Sequence, residues 1–443
     1  MQRPVICTSP TTTPLAGQCR PDETCLHLRV TADGCVSRRS FFRLGTAALA
    51  GSGLLGQIRL HADELKKQGR SCILVWLAGG PSQMETWDPK PGTPNGGQTK
   101  AISTKVSGVQ IAEYWPKLAG SLDRWGLIRS MTNKEGAHER ATYQLHTGRR
   151  PTGSLKFPNI GSVVAEQLGR RDAELPNFVS IGNTIGSGFL GVHSQPFIVH
   201  KAGALPDNVA QSVPKDHLER RLAMLHEQNA QFALAGAKNL AEEQQGLYAQ
   251  ATRMVLSPKL KAFQLEGESE KTREAYGHSA FGQGLLVARR LVESGVPFVE
   301  VQRGGWDNHQ EIFKAMPKMA GEVDQGIWAL AADLHQRGLL ERNLVLCMGE
   351  FGRTPKVNAR AGRDHWPKTF SVLLSGAGIR GGRVIGKTTP DGSDVAEQPV
   401  SVEDLFQTIC AAIGLDAGTT LEAPNGRPIK IVDGGRLITG LFS

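Results

Sequence analysis

Of 443 residues, 40% are hydrophobic, and 51 basic side chains stand against 42 acidic ones, enough for one large core or two ordinary domains. No run of 18 apolar residues occurs, which excludes a multi-span membrane protein, and seven cysteines are too few for a disulfide-built mini-domain. The net charge of +9 is mild for this length, and no Lys/Arg run with interleaved aromatics argues for nucleic acid.

The chain opens with a segment that reads as an address. Ser37-Arg38-Arg39-Ser40-Phe41-Phe42-Arg43 matches a twin-arginine export motif. The apolar stretch 44–55 follows, too short to span a bilayer but suited to a signal h-region, and Leu60-His61-Ala62 offers a cleavage site. Residues 1–62 are therefore expected to form the signal region, with a long n-region. The mature chain is then 63–443, exported to the periplasm or cell envelope by the twin-arginine machinery, with no stable membrane span. Removing 1–62 takes away seven arginines and three acids and leaves a net +5, a slight preference for anionic partners. Cys72, Cys347 and Cys410 remain, each in an apolar context that predicts a buried thiol.

In the mature chain, 71–78 is a continuous apolar run ended by Gly79-Gly80-Pro81, the pattern of a central strand buried on both faces. Weaker strands are expected at 125–129 and 177–181, with helices at about 138–147 and 160–170. Residues 205–292 are charged and read as helical throughout, an insertion and not a separate domain. Further strands are expected at 296–301, 343–348 and 369–374. A long helix is expected over about 309–338, and another over 402–413, opened by Ser401 with Asp404 three residues later. Alternating strands and helices predict an α/β fold, a doubly wound, mostly parallel sheet with helices on both faces.

Several familiar motifs fail on context. Gly51-Ser-Gly-Leu-Leu-Gly56 lies in the signal region, and Gly186-Ser-Gly-Phe-Leu-Gly191 does not run into a helix. No nucleophile elbow, P-loop, HExxH or CxxC occurs. Three other segments each sit beside a strand: Gly304-Gly-Trp-Asp-Asn-His309, Gly349-Glu-Phe-Gly-Arg-Thr354 and Gly362-Arg-Asp-His-Trp-Pro367. Ligands bind at the carboxyl ends of strands in such sheets, so Asp307, His309, Glu350, Asp364 and His365 are expected to meet on one edge. Carboxylate with imidazole suits a divalent metal, Zn first, with Mn, Fe, Mg and Ca as alternatives. A fourth segment, Glu135 to Arg150, begins at a helix N-terminus that presents free amides to an anion, with His138 and Arg140 beside it.

The order of these segments resembles the alkaline phosphatase–sulfatase superfamily. More closely, GGPSQMETWDP, GGWDNH, GEFGRTP and GRDHWP resemble the exported domain of unknown function 1501 family, over about residues 70–435. The resemblance implies that Asp307, His309 and His365 hold one metal. It also implies that a second site has lost its first-strand acid and an imidazole, leaving Asp88 or Glu85 as substitutes from the following loop. Counting back nine residues from Thr147-Gly148, where the superfamily keeps its nucleophile, lands on His138, which is then a phospho-acceptor, a general acid or a metal ligand. No cysteine heads a C-x-P-x-R, so the formylglycine route is absent.

The expected function is an exported metal-dependent hydrolase of phosphate or sulfate esters, small or carried on a polysaccharide. Arg140, Arg353 and Arg363 would clamp the anion, and Glu350 and Asp364 would be weaker ligands or groups orienting the histidines. The alternatives are a catalytically degenerate protein of the same fold that binds anionic glycans, and a transferase using His138 as phosphate carrier.

Overall fold

The computed structural model describes residues 69–442 apart from 154 and 210–212. All of them belong to one compact unit, Gln68–Ser443. The expected signal region, with Arg38, Arg39 and the cleavage site, lies outside the described residues.

Eight strands build the main sheet: β1 Ser71–Leu77, β2 Gly126–Met131, β3 Phe178–Ile181, β4 Phe197–Val199, β5 Phe298–Arg303, β6 Asn343–Met348, β7 Phe370–Ser375 and β8 Val384–Ile385. Their order is β8-β2-β7-β6-β1-β5-β3-β4. β1 is central and every residue of it is buried. Ile73, Val75 and Leu77 enter one hydrophobic cluster, while Cys72, Leu74 and Trp76 enter the other. A strand buried on both faces must be apolar at every position, which is why SCILVWL shows no alternation.

Helices close both faces. The first cluster is shared with α6 (Ala280–Glu293) and α7 (Ile312–Gln336). The second is shared with α1 (His138–Thr147), α2 (Ile160–Leu168) and α8 (Val402–Ile413). This is the expected doubly wound arrangement. α8 starts in a complete capping box: Asp404 N–H donates to the Ser401 hydroxyl at 3.1 Å, and Ser401 N–H to the Asp404 carboxylate at 2.9 Å. Cys72, Cys347 and Cys410 are free and buried. Burial pushes the Cys410 thiol up to about 12 and the other two higher still, so none supplies a thiolate.

β1 runs parallel to β5 and β6, but β7 is antiparallel to both of its neighbours, β6 and β2. That reversal places the amino end of β7 on the same edge as the carboxyl ends of β1, β2, β5 and β6.

The expected helical insertion needs correction. Residues 205–209, 213 and 214 are not helical; α3 (Lys215–Phe232) and α4 (Lys238–Leu256) form an arm, and α5 (Glu270–Tyr276) is short. α6 belongs to the core: Leu285, Leu286, Ala288 and Leu291 are fully buried. Its buried Arg289 hid this in the sequence. The guanidinium lies between Glu268, Glu293 and Asp333 at 2.7–3.0 Å, which offsets the cost of burying its charge. The expected strands also left out β4 and β8, short edge strands of three and two residues.

Candidate functional site

β5 ends at Arg303, and the following loop carries Asp307 and His309 before α7 begins at Ile312. The expected long helix started at 309. Instead Glu311 adopts a left-handed backbone (φ 49°) that keeps His309 in the loop. β6 leads into Glu350 and Phe351, and β2 into the turn that ends at His138, the first residue of α1. His365 and Trp366 pair antiparallel with Gly352 and Arg353, which ties the two loops together. Two glycines permit the close approach of backbones. A β-carbon on Gly362 would stand 2.1 Å from the His309 carbonyl carbon, and one on Gly79 (φ 119°) 2.5 Å from the Asp307 nitrogen.

Three imidazoles converge on one carboxylate oxygen. From Asp307 Oδ1, the Nε2 atoms of His309, His365 and His138 lie at 3.0, 3.2 and 3.4 Å. The Nε2 atoms of His309 and His365 are themselves 3.0 Å apart. Each ring is held from behind. His138 Nδ1 is 2.7 Å from Glu350 Oε1, His309 Nδ1 is 2.8 Å from Asp364 Oδ1, and His365 Nδ1 is 2.8 Å from the Gly136 carbonyl oxygen. A carbonyl oxygen only accepts, so His365 Nδ1 carries the proton, and the carboxylates set the same tautomer for the other two rings. In the neutral state all three Nε2 lone pairs then point into one space. His138 Nε2 is buried and has no hydrogen-bond partner there.

Electrostatics keep the hub anionic. Burial raises the Asp307 carboxyl pKa, but the Arg353 guanidinium bonded to Oδ1 outweighs that and brings it down to about 2. The bond from His309 holds Asp364 below the ordinary carboxylate range. Lone pairs facing each other at 3.0 Å repel unless a cation or a proton lies between them. The hydrogen bond to Glu350 raises the His138 pKa, which favours a proton on that ring but places none between His309 and His365. A divalent metal would relieve that contact. Tetrahedral bonds of about 2.0–2.1 Å put neighbouring ligand atoms about 3.3–3.4 Å apart, close to the separations observed. His138, Asp307 and His365 are the group of metal-type side chains that meets within 4.8 Å among the described residues, and His309 adjoins it. The rings are about one-third exposed, so the centre faces solvent.

The other expected site residues lie one layer out or elsewhere. Glu350 is nearly buried, accepts from Gly79 N–H at 2.9 Å and orients His138; Asp364 orients His309. Arg353 is fully buried and donates to Asp307 and to the carbonyls of Gly79, Gly80 and Arg363. Arg363 is also fully buried, forks onto Glu85 at 2.7 and 2.9 Å, and binds the carbonyls of Thr354, Pro355 and Asn95. With their donors used inside the protein, neither arginine is free to clamp an outside anion as expected. Arg140 is exposed and forks onto Glu135 at 2.8 and 3.1 Å. Glu85 and Asp88 do not replace the lost second-site ligands. Glu85 pairs with Arg363, and Asp88 binds Lys90, Arg129 and Thr388. The Phe351 ring lies against those of His138 and His365, at 4.9 and 4.7 Å between centroids. No sequence signal announced this role for Phe351, nor that of the Gly136 carbonyl.

Comparison with known structures finds remote similarity to the following. Ps i-CgsB in complex with k-i-k-neocarrahexaose is 12% identical, covers 78% of this chain and 72% of its own, and gives a TM-score of 0.40. The PsFucS1 sulfatase from Pseudoalteromonas sp. is 14% identical over 81% and 72%, TM-score 0.34. The phosphonate monoester hydrolase of Agrobacterium radiobacter is 12% identical over 84% and 77%, TM-score 0.36. No curated protein matches. The family model described as "Protein of unknown function (DUF1501)" matches residues 69–442.

The packing at Gly79 yields a direct prediction. Gly79→Ala should cost about 2–4 kcal/mol in urea unfolding, because it combines left-handed strain with a clash against the Asp307 backbone. Gly304→Ala, with nothing within 4 Å of the added carbon, should be nearly neutral. Equal effects of the two would contradict this packing.

Proposed function

This chain belongs to the DUF1501 family, and we propose that it is an exported, metal-dependent hydrolase of phosphate or sulfate esters, including esters carried on a polysaccharide. One observation carries the reading: three imidazoles, each fixed by an acceptor at Nδ1, turn Nε2 toward the ionised Asp307 at the solvent-facing edge of the sheet. His138, His309, His365 and Asp307 would hold one divalent cation, Zn or another metal that accepts nitrogen and oxygen together. When bound, such a cation polarises an ester oxygen or lowers the pKa of a water.

The chain's own residues do the remaining work. Glu350 and Asp364 hold the ligand tautomers, and Arg353 keeps Asp307 ionised. Ala137 provides no side-chain cap for α1, so the first-turn amides stay available to an anionic oxygen. Of the three arginines expected to clamp an anion, Arg140, in the same turn, is the exposed one. His138 serves as a ligand in this reading, not as a nucleophile, because its buried Nε2 faces the other ligands.

A specific observation also favours the binding-protein alternative. Four protein ligands complete a tetrahedron, as in structural zinc sites, whereas catalytic sites keep a position open. Catalysis would therefore require a fifth ligand on the exposed side of the centre.

Metal analysis combined with turnover separates the readings. Purified protein should hold one divalent metal per chain, and His309→Ala and His365→Ala should lose it. Asp364→Ala and Glu350→Ala should bind about 10–100-fold more weakly. The metal-loaded protein should cleave aryl phosphate or aryl sulfate, and chelation should abolish this. Metal without cleavage of either ester supports the binding protein; no metal at all refutes the centre. Export rests on Ser37 to Arg43. Arg38→Lys with Arg39→Lys should strand the protein in the cytoplasm on cell fractionation, and unchanged export would exclude the twin-arginine route.

A further inference from the structure

The segment 358–364, between β6 and β7, is laid against the loop that carries His309 by three backbone hydrogen bonds. Arg363 N–H donates to the Asn308 carbonyl at 3.0 Å, Glu311 N–H to that of Arg360 at 3.0 Å, and Ile312 N–H to that of Ala361 at 2.9 Å. Glu311 (φ 49°) and Ala361 (φ 55°) both adopt the left-handed region without being glycine. Such strain persists only where the surrounding structure over-determines the backbone.

Asn358 supplies much of that constraint. Its Nδ2 donates to the His309 carbonyl at 3.0 Å and, less closely, to Asp364 Oδ1 at 3.3 Å. Its Oδ1 accepts from the Arg360 and Gly362 N–H groups at 2.9 and 3.0 Å. Its own N–H donates to the Gly362 carbonyl at 2.8 Å, and its carbonyl accepts from Ala361 N–H at 3.1 Å. Backbone N–H groups only donate and a carbonyl only accepts, so these partners leave one orientation for the side-chain amide. The oxygen half closes the turn, while the nitrogen half joins that turn to His309. Asp364 Oδ1 is also the atom that fixes the His309 ring, 2.8 Å from Nδ1. Asn358 therefore holds His309 twice, at its backbone and through the acceptor behind its ring. The other two rings rest on different groups, His365 on the Gly136 carbonyl and His138 on Glu350.

We propose that Asn358 is a positioning residue for the metal centre, setting His309 through the Nδ2 donor that ties the His309 carbonyl and Asp364 to one turn. This rests on the metal reading above and extends it to a residue outside the coordination shell. Without that donor, Asp364 is freer to leave Nδ1, and the competing tautomer, with Nε2–H donating to Asp307 Oδ1 at 3.0 Å, gains ground. That tautomer has no lone pair at Nε2 for a metal.

Asn358→Ser separates the two halves of the amide. A serine hydroxyl still accepts from the N–H two residues on, which keeps the turn, but it is too short to replace the Nδ2 donor and introduces no charge beside Asp364. Asn358→Thr repeats the change with a second hydroxyl. Both variants should keep the wild-type circular dichroism spectrum and bind zinc about 10–100-fold more weakly in chelator competition. Ring nitrogen NMR of the metal-free protein at alkaline pH gives a second readout. The wild type should carry the proton on Nδ1 of all three rings. In the variants His309 alone should move toward the Nε2–H form, with His138 and His365 unchanged. Wild-type zinc affinity in both variants, or an unchanged His309 spectrum, would overturn the proposal. So would a change shared by all three rings, the mark of a general loss of structure. A wild type that takes up no zinc or other divalent metal would overturn the metal reading itself, and this proposal with it.

Discussion

The Asp307 carboxylate is the point on which the site depends. Its Oδ1 lies within 3.4 Å of three imidazole nitrogens and accepts from the Arg353 guanidinium. The buried Arg353 is itself anchored on backbone carbonyls, so the negative charge cannot swing away from the rings. A fixed anion surrounded by tautomer-locked imidazoles is arranged for a cation before any cation arrives. Such preorganisation is what the proposed metal site would need and what a chance cluster of polar loops would lack.

The fold supplies this geometry through one topological exception. Were β7 parallel like its neighbours, the loop carrying Asp364 and His365 would enter the sheet from the opposite edge. Because β7 runs backwards, four strand ends and one strand beginning share an edge. The two glycines then let loops from β1, β5 and β7 touch through their backbones. Tolerance at this junction is small, since the contacts are main chain on main chain.

Much of the architecture was legible because its signals are local. The run 71–78 had to be a central strand, 343–348 matched β6 exactly, and Ser401 with Asp404 announced a helix start. Asp307, His309 and His365 could be grouped because each lies beside a strand end. What stayed hidden depends on distant partners. An arginine in GEFGRTP or GRDHWP looks the same whether it faces solvent or turns inward. Glu85, 278 positions from Arg363, decides that case. His138 could be a nucleophile or a ligand until Glu350 was seen behind it. α6 was hidden among charged helices because the three carboxylates that neutralise Arg289 belong to other parts of the fold or to the next helical turn.

The central claim is that His138, His309, His365 and Asp307 form one coordination shell. X-ray absorption at the metal edge of loaded protein tests it most directly. The account predicts three imidazoles and a carboxylate oxygen at about 2.0–2.1 Å, with the imidazole scattering reduced by one ring in His138→Ala. A shell of oxygens alone, or an imidazole count unchanged by His138→Ala, would contradict it.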